Sequence, residues 1–145
     1  GEGSMREQLQ QQINTLKLQD KVRLCGRNDN IMEVYSNYSV HLMTSRYEGL
    51  PMTLIEAQSC GLPSVVFNFK YGASDVVTSG HNGIVVKQND CRLFCDAMEK
   101  MLSSEALRKE YGTNALNVGR GYMKENIFKK WLQIINDCVS IVETT

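Results

Sequence analysis

Two glutamates, Glu48 and Glu56, frame the segment with the clearest chemical potential, and seven residues separate them: Gly-Leu-Pro-Met-Thr-Leu-Ile. An apolar run of strand length, 40–44, precedes the first glutamate, and a segment that suits a short helix, 54–60, follows it. Glu48 therefore falls just beyond the carboxyl end of a predicted strand. Ligands bind at that edge in open α/β sheets.

The start of the next helix predicts an anion site. Pro51 suits the first helical turn because its φ is fixed and it lacks an N–H. Unpaired N–H groups around Gly49, Leu50, Met52 and Thr53 would carry the partial positive charge of a helix N-terminus. Gly49 also allows a ligand to approach the backbone closely. Phosphate is the expected ligand of this site.

The two carboxylates have a different task from the helix end, because they should accept hydrogen bonds from hydroxyl groups. A charged acceptor contributes roughly 1.5 to 3 kcal/mol per bond, enough to distinguish a polyol from an apolar ligand. Glu56 lies five residues after Pro51, about 7 Å along a helix at 1.5 Å per residue. The two acids can therefore straddle a diphosphate, the layout of a nucleoside diphosphate sugar.

The segment 45–66 resembles the signature of retaining GT-B glycosyltransferases of the glycogen-synthase-like, family 4 type. The resemblance continues in a Gly-rich turn at 1–3, a strand ending in Gly26, a loop at 72–75 and a turn and strand at 80–86. It covers nearly the whole chain. It implies the C-terminal, donor-binding half of such an enzyme, with the acceptor site on an N-terminal domain that is absent here.

The resemblance implies transfer of a glycosyl group from a nucleoside diphosphate sugar to an acceptor hydroxyl with retention at the anomeric carbon. Glu48 is the implied catalytic residue and orients the sugar hydroxyls, while Glu56 binds the ribose diol. The backbone at Gly26 and Arg27 meets the nucleobase. The diphosphate lies at the helix start, for which the donor-binding residues are Gly49, Leu50, Pro51, Met52 and Thr53.

The implied partners are the nucleotide-sugar donor and a sugar, lipid-linked or polysaccharide acceptor that binds through the missing N-terminal domain. No metal and no cofactor are expected, because no carboxylate cluster suggests a divalent site and GT-B enzymes generally use positive protein groups. The family's basic pair that neutralises the diphosphate, an Arg and a Lys near the first strand, has no counterpart here. Lys70 and Tyr71 lie at the predicted ligand edge, where contact with donor or acceptor is possible.

Length and composition predict one domain, 1–145, with a packed core. Sixteen basic and sixteen acidic residues give no net charge, which gives no electrostatic reason to expect nucleic acid or an anionic membrane as a partner. The apolar runs are too short to span a bilayer. Five cysteines make an odd set and favour a reducing compartment. We therefore expect a cytoplasmic location, with peripheral membrane association of the full protein as an open possibility.

Strand-like and helix-like segments alternate, which predicts an α/β fold: a Rossmann-like parallel sheet with helices on both faces. The predicted strands are 22–25, 40–44, 64–68 and 84–86. A Ser4–Glu7 capping box, Asp90 and Ser104 predict helix starts. If 1–3 is the turn after the second strand, the first strand-helix-strand of the domain is absent. A gap is then expected between 22–25 and 40–44, because the strand order is 3-2-1-4-5-6.

Several apolar sets at helical spacing predict buried faces. The first helix carries Met5, Leu9, Ile13 and Leu16, the second Ile31, Val34, Tyr35 and Tyr38, and a later helix Leu93, Phe94, Ala97, Met98 and Met101. The final helix carries Phe128, Trp131, Leu132, Ile135, Cys138 and Val142. A lone histidine in a strand, such as His41, favours a structural role.

Two other functions remain open. A GT-B-shaped sugar-nucleotide epimerase would also bind a nucleoside diphosphate sugar, but would lack the Glu48 and Glu56 frame. A non-catalytic interaction module could use a degenerate Rossmann half, although the intact glutamates and Gly49 disfavour it. Nucleotide titration and product analysis without an acceptor separate these alternatives.

Overall fold

The computed structural model describes the backbone of residues 2–143 and the side chains of residues 2–139. Gly1, the first residue of the predicted Gly-rich turn, lies outside the described residues. The chain divides into two compact units, Gly1–Ile31 and Met32–Thr145, and each is described by itself.

The first unit consists of helix α1 (Arg6–Thr15) and an irregular segment that returns beside it. The Arg6 guanidinium Nη2 donates to the carbonyl oxygen of Leu24 at 3.0 Å. The predicted strand at 22–25 is wrong for this structure, because no described strand pairs with its backbone. A strand exists only through the ladder hydrogen bonds of a neighbour.

Helix α1 differs from the prediction in its start and in its burial. The N-cap is Met5 rather than Ser4, and its side chain makes no capping hydrogen bond. Of the four apolar residues on the predicted face, only Ile13 is buried, whereas Met5, Leu9 and Leu16 are exposed. A unit of this size has too little other chain to cover a whole helix face.

The second unit alternates helices and strands around a parallel sheet. Its elements are α2 (Ile31–Ser36, which begins at the boundary), β1 (His41–Met43), α3 (Met52–Ser59), β2 (Ser64–Phe67), α4 (Ala73–Val76), β3 (Gly83–Val86), α5 (Cys91–Ser103), α6 (Glu105–Gly121) and α7 (Lys124–Glu143). The three strands predicted in this part of the chain are confirmed.

The sheet has the order β1-β2-β3, and both pairs are parallel. His41 pairs with Ser64, and Val65 pairs with Ile84. The central strand β2 is buried along its full length. Because all three strands run in one direction, the loops that follow them leave the sheet at the same edge.

Helices cover both faces of the sheet, which confirms the predicted α/β class. The face that carries Met43 and Val66 packs against buried residues of α3 and α4, such as Leu54 and Val76. The opposite face belongs to a second apolar cluster that includes residues of α5 and α6. Its buried members are Val65, Phe67, Val86, Phe94, Ala97, Met101 and Tyr111.

The predicted caps of α5 and α6 are confirmed. Asp90 accepts a hydrogen bond from the Leu93 N–H at 3.0 Å, and Ser104 accepts one from the Leu107 N–H at 3.2 Å. Each satisfies one backbone donor that a helix start leaves without an intrahelical partner. These caps fix the first turn of each helix.

Several predicted apolar faces are more exposed than their spacing suggested. Leu93 is exposed, Tyr38 is exposed and lies beyond the end of α2, and no residue of α2 is fully buried. On α7 the predicted residues Phe128, Trp131, Leu132, Ile135 and Cys138 are exposed. The Val142 side chain lies outside the described residues. The spacing identified each helix correctly, but it does not specify what packs against the apolar side.

Helix α3 is fixed at its carboxyl end by buried polar contacts. Gln58 Nε2 donates to Ser64 Oγ at 3.0 Å, and Asn82 Nδ2 donates to Gln58 Oε1 at 2.7 Å. The Thr78 N–H donates to Asn82 Oδ1 at 2.7 Å. Leaving one of these buried groups without a partner costs about 1 to 3 kcal/mol. The network therefore ties α3 to the turn before β3.

A close helix contact supports the same end of α3. A Cβ at Gly119 would lie 2.5 Å from the Cα of Ser59, so α6 can approach α3 only because residue 119 is a glycine. The buried hydrogen bonds of Gln58 and the close contact with α6 together hold α3 in one position on the sheet.

His41 occupies the start of β1, where its Nδ1 is buried and has no hydrogen-bond partner among the described residues. The Tyr35 ring meets the imidazole edge-on, with 5.8 Å between the ring centroids. Burial disfavours the charged imidazolium and lowers the pKa of His41 from 6.5 to about 4. These surroundings fit a packing residue, and the structural role of His41 stays a prediction.

We expect His41 to make the protein acid-sensitive. Below pH 6.5 the unfolded chain gains a proton on His41, whereas the folded chain does not until about pH 4, so stability falls as the pH drops through this window. The loss at pH 4.5 should be about 2 kcal/mol relative to pH 7.5. Urea denaturation of the wild type and of His41→Phe at both pH values measures it. An equal pH dependence in the two proteins would contradict this assignment.

Candidate functional site

Glu48 lies in the loop that follows β1, at the carboxyl edge of the sheet. The Ser45 hydroxyl donates to Glu48 Oε1 at 2.8 Å, and both residues are half-buried. The loop therefore turns back on itself and orients the carboxylate. The structure places this predicted residue where the sequence placed it.

A second hydrogen bond reaches the same loop from the segment that follows β3, the strand at the opposite end of the strand order. Gln88, which follows β3, donates from Nε2 to the Arg46 carbonyl oxygen at 2.9 Å. The two residues are 42 positions apart, but the parallel sheet brings the ends of β1 and β3 to one edge. Sequence reasoning missed Gln88. The only signal available was its position just beyond a predicted strand.

Helix α3 begins immediately after this loop. Pro51 is its N-cap, with φ −76° and ψ 82°, rather than the first helical residue as predicted. The Pro51 carbonyl oxygen accepts from the N–H groups of Leu54 and Ile55 at 3.0 and 3.1 Å. The N–H groups of Met52 and Thr53 donate to no protein acceptor within the described residues, and both residues are exposed. The helix start therefore presents two backbone donors to an incoming anion.

Glu56 is the fifth residue of α3 and is half-buried. Tyr35 lies within its electrostatic reach. Burial raises the pKa of Tyr35 above its usual value, and the neighbouring Glu56 carboxylate raises it further. The phenol therefore stays neutral beside the carboxylate.

The loop after β2 lies against the loop that leads into α3. Gly72 has φ +91°, and a Cβ there would lie 2.6 Å from Pro51 Cδ and 3.5 Å from the Gly49 carbonyl oxygen. Lys70 and Tyr71 precede it, with the Lys70 ammonium 5.1 Å from the centroid of the Tyr71 ring. Both side chains are exposed. The loops after β1, β2 and β3 thus meet at one edge of the sheet.

Exposed apolar side chains surround the helix start. Leu50 and Met52 are each 54% exposed, and Tyr47 beside Glu48 is 82% exposed. Gly49 is also exposed, and an added Cβ there would have no atom within 4 Å. The surface beside Gly49 is therefore open enough to receive a ligand.

Gly26 and Arg27 belong to the first unit. Gly26 has φ +72°, a left-handed conformation that suits glycine. Arg27 Nε pairs with Asp29 Oδ1 at 3.0 Å, and both side chains are more than four-fifths exposed. The Arg27 side chain is thus a solvated surface group, which leaves its backbone as the part predicted to bind.

Two other properties bear on the class of site. Within the part of the chain that the structure describes, no three His, Cys, Asp or Glu residues cluster so that they could hold a metal ion. No helix among the described residues combines the length and apolar character needed to cross a membrane.

The profile of the family "Glycosyl transferases group 1" matches residues 1–118. The chain belongs to this family. The amylovoran biosynthesis glycosyltransferase AmsD of Erwinia amylovora is 35% identical over 136 residues, which are 94% of this chain and 38% of AmsD. The poly(ribitol-phosphate) alpha-N-acetylglucosaminyltransferase of Staphylococcus aureus is 29% identical over 94% of this chain and 28% of its own length. The chain thus spans well under half the length of these relatives.

Solved structures of GT-B glycosyltransferases share this fold. A TarM variant from S. aureus, crystallised with UDP, fondaparinux and alpha-GlcNAc-glycerol, aligns at a TM-score of 0.85 and 28% identity, over 94% of this chain and 28% of TarM. The chain corresponds to the C-terminal domain of GT-B glycosyltransferases, which confirms the resemblance drawn from the signature around Glu48 and Glu56.

Gly72 should contribute to the stability of the fold at this site, whereas Gly49 should not. Gly72→Ala would combine a left-handed φ with a contact too short for a real Cβ, and we expect a loss of about 1 to 3 kcal/mol in the free energy of unfolding. Gly49→Ala is the matched control, because its new Cβ meets nothing within 4 Å. Urea denaturation measures both variants. Equal stability of the two variants would show that Gly72 does not lie against Pro51 in solution.

Proposed function

We propose that this chain is the donor-binding domain of a retaining glycosyltransferase, which binds a nucleoside diphosphate sugar and acts with an N-terminal domain that carries the acceptor. The observation that supports this most strongly is the arrangement at the carboxyl edge of the sheet. There the oriented carboxylate of Glu48 precedes the exposed start of α3, and Glu56 follows on the same helix.

The diphosphate would lie at the start of α3. The N–H groups of Met52 and Thr53 point out of the first turn without a protein acceptor among the described residues, and Gly49 leaves room for the phosphate oxygens. In the transition state the sugar becomes oxocarbenium-like while negative charge grows on the departing diphosphate. Fixed donors at a helix end favour that charge without having to reorganise.

The two glutamates would divide the remaining recognition. Glu48 accepts from the hydroxyls of the transferred sugar, and Glu56 accepts from the ribose diol. Exposed Leu50 beside Pro51 adds apolar contact. We assign no covalent nucleophile, and the proposal includes no metal or cofactor.

The related proteins suggest which donors to test first. UDP is present in the crystal structure of the TarM variant. AmsD is named for amylovoran biosynthesis. We therefore propose UDP-sugars as the first donor panel and a polysaccharide or other glycosylated chain as the acceptor class. Transfer itself is measured with the full-length protein.

Glu56→Ala should weaken nucleoside diphosphate binding about thirtyfold. The carboxylate is half-buried and is proposed to hold both ribose hydroxyls, and losing a charge-assisted pair costs about 2 kcal/mol. Isothermal titration with UDP measures the dissociation constant. Glu99→Ala, an exposed helical glutamate on α5, is the matched control. An unchanged constant for Glu56→Ala would remove the ribose assignment, and no binding by the wild type would favour a non-catalytic module.

Glu48→Gln should reduce turnover far more than affinity for the free nucleoside diphosphate. The substitution keeps the size of the side chain but removes the charge that faces the transferred sugar, an interaction that strengthens towards the transition state. Steady-state kinetics and UDP titration of the same variant provide the comparison. A parallel drop in both quantities would make Glu48 a nucleotide ligand. An epimerised donor without transfer would favour the epimerase instead.

A further inference from the structure

Two side chains hold the Glu48 loop by hydrogen bonds, and neither is among the residues assigned to ligand binding. Ser45 donates to the carboxylate itself at 2.8 Å. Gln88 donates to the backbone carbonyl of Arg46 at 2.9 Å, from the loop that follows β3. One contact sets the direction of the carboxylate, and the other holds the loop backbone two residues before it.

The loop has little else in the described residues to hold it. Residues 44–50 form no helix or strand, and Thr44, Arg46, Tyr47, Gly49 and Leu50 are exposed. A glutamate on such a loop would sample several rotamers and backbone positions. A group that contacts a reacting sugar loses much of its effect when it is displaced by about 1 Å. The carboxylate therefore depends on neighbours that fix it before the donor arrives.

We propose that Ser45 and Gln88 are positioning residues that preorganise Glu48 for the transferred sugar. This inference rests on the proposed function. Ser45 acts on the carboxylate directly through its hydroxyl. Gln88 acts through the Arg46 carbonyl and makes the geometry of Glu48 depend on the end of β3. Neither residue needs to touch the donor.

The Ser45 hydroxyl can be tested by substitution in the full-length protein. Ser45→Ala should lower kcat for transfer from a UDP-sugar about tenfold, the value for one hydrogen bond to a charged group, and should leave the UDP dissociation constant unchanged. Ser45→Thr keeps the hydroxyl and should recover most of the loss. Melting temperatures of the variants show that each is folded. A Thr variant as impaired as the Ala variant would overturn a role for the hydroxyl.

A double-mutant cycle separates positioning from a structural role. If Ser45 acts through Glu48, Ser45→Ala should add little to the loss of kcat caused by Glu48→Ala, because the contact is already gone. If the two losses multiply, Ser45 acts independently of Glu48 and the inference fails.

The Gln88 contact needs a donor at one atom, so an isosteric change tests it. Gln88→Glu replaces the donating amide with a carboxylate that repels the Arg46 carbonyl, and kcat should fall about fivefold with UDP affinity unchanged. Lys87→Ala is the matched control: Lys87 is exposed and lies in the same loop, and its side chain makes no hydrogen bond within the described residues. The effect should again vanish in a Glu48→Ala background. Equal kcat in the Gln88→Glu variant and the wild type would overturn the role of Gln88.

The same measurements distinguish a failure of this inference from a failure of the proposed function. Wild-type transfer that is lost in Glu48→Ala supports the function, and losses that multiply in the double variants then overturn only the positioning role. Wild type that binds no UDP and transfers no sugar, or a Glu48→Ala variant with wild-type kcat, overturns both.

Discussion

Parallel pairing of β1, β2 and β3 is the constraint on which the candidate site depends. When all strands run the same way, the loops that follow them leave the sheet at one edge, whatever their separation in sequence. The Glu48 loop, Gly72 and Gln88 come from three such loops, and they contact one another through Pro51 and Arg46. No local property of any single loop would create this meeting point. The buried central strand therefore positions the candidate site without containing any of its residues.

A helix end can bind a charged group well only if the helix is already fixed. The contacts of Gln58 with Ser64 and Asn82, and the close approach of Gly119 to Ser59, anchor the carboxyl end of α3. Pro51, buried against Gly72, fixes the other end. With both ends held, the N–H groups of Met52 and Thr53 keep their directions without a ligand. Their dipoles then need no reorganisation when charge develops nearby.

The sequence predicted the positions of the candidate site residues in the fold better than it predicted the contacts that hold those residues. Glu48, Gly49, Met52, Thr53 and Glu56 could be placed because strand, turn and helix signals lie side by side and need no long-range information. The predicted start of α3 at Pro51 was wrong by one residue, because the helix begins at Met52, and such a difference is within the ordinary uncertainty of helix ends. Gln88 could not be found, because its bond to Arg46 depends on the register of two parallel pairs that a sequence pattern does not specify.

Periodicity also reports that a helix has an apolar side without reporting what covers it. The pattern on α7 identified the helix correctly, yet Phe128 and Trp131 are exposed. The segment 22–25 shows the same limit for strands, because its apolar character fits a strand but the ladder requires a partner that no described residue supplies. Burial and strand pairing each depend on two surfaces that meet. A single segment of sequence specifies only its own surface and not the surface that contacts it. Local signals are therefore strongest for a candidate site such as the start of α3, where the predicted ligand contacts are groups that remain exposed.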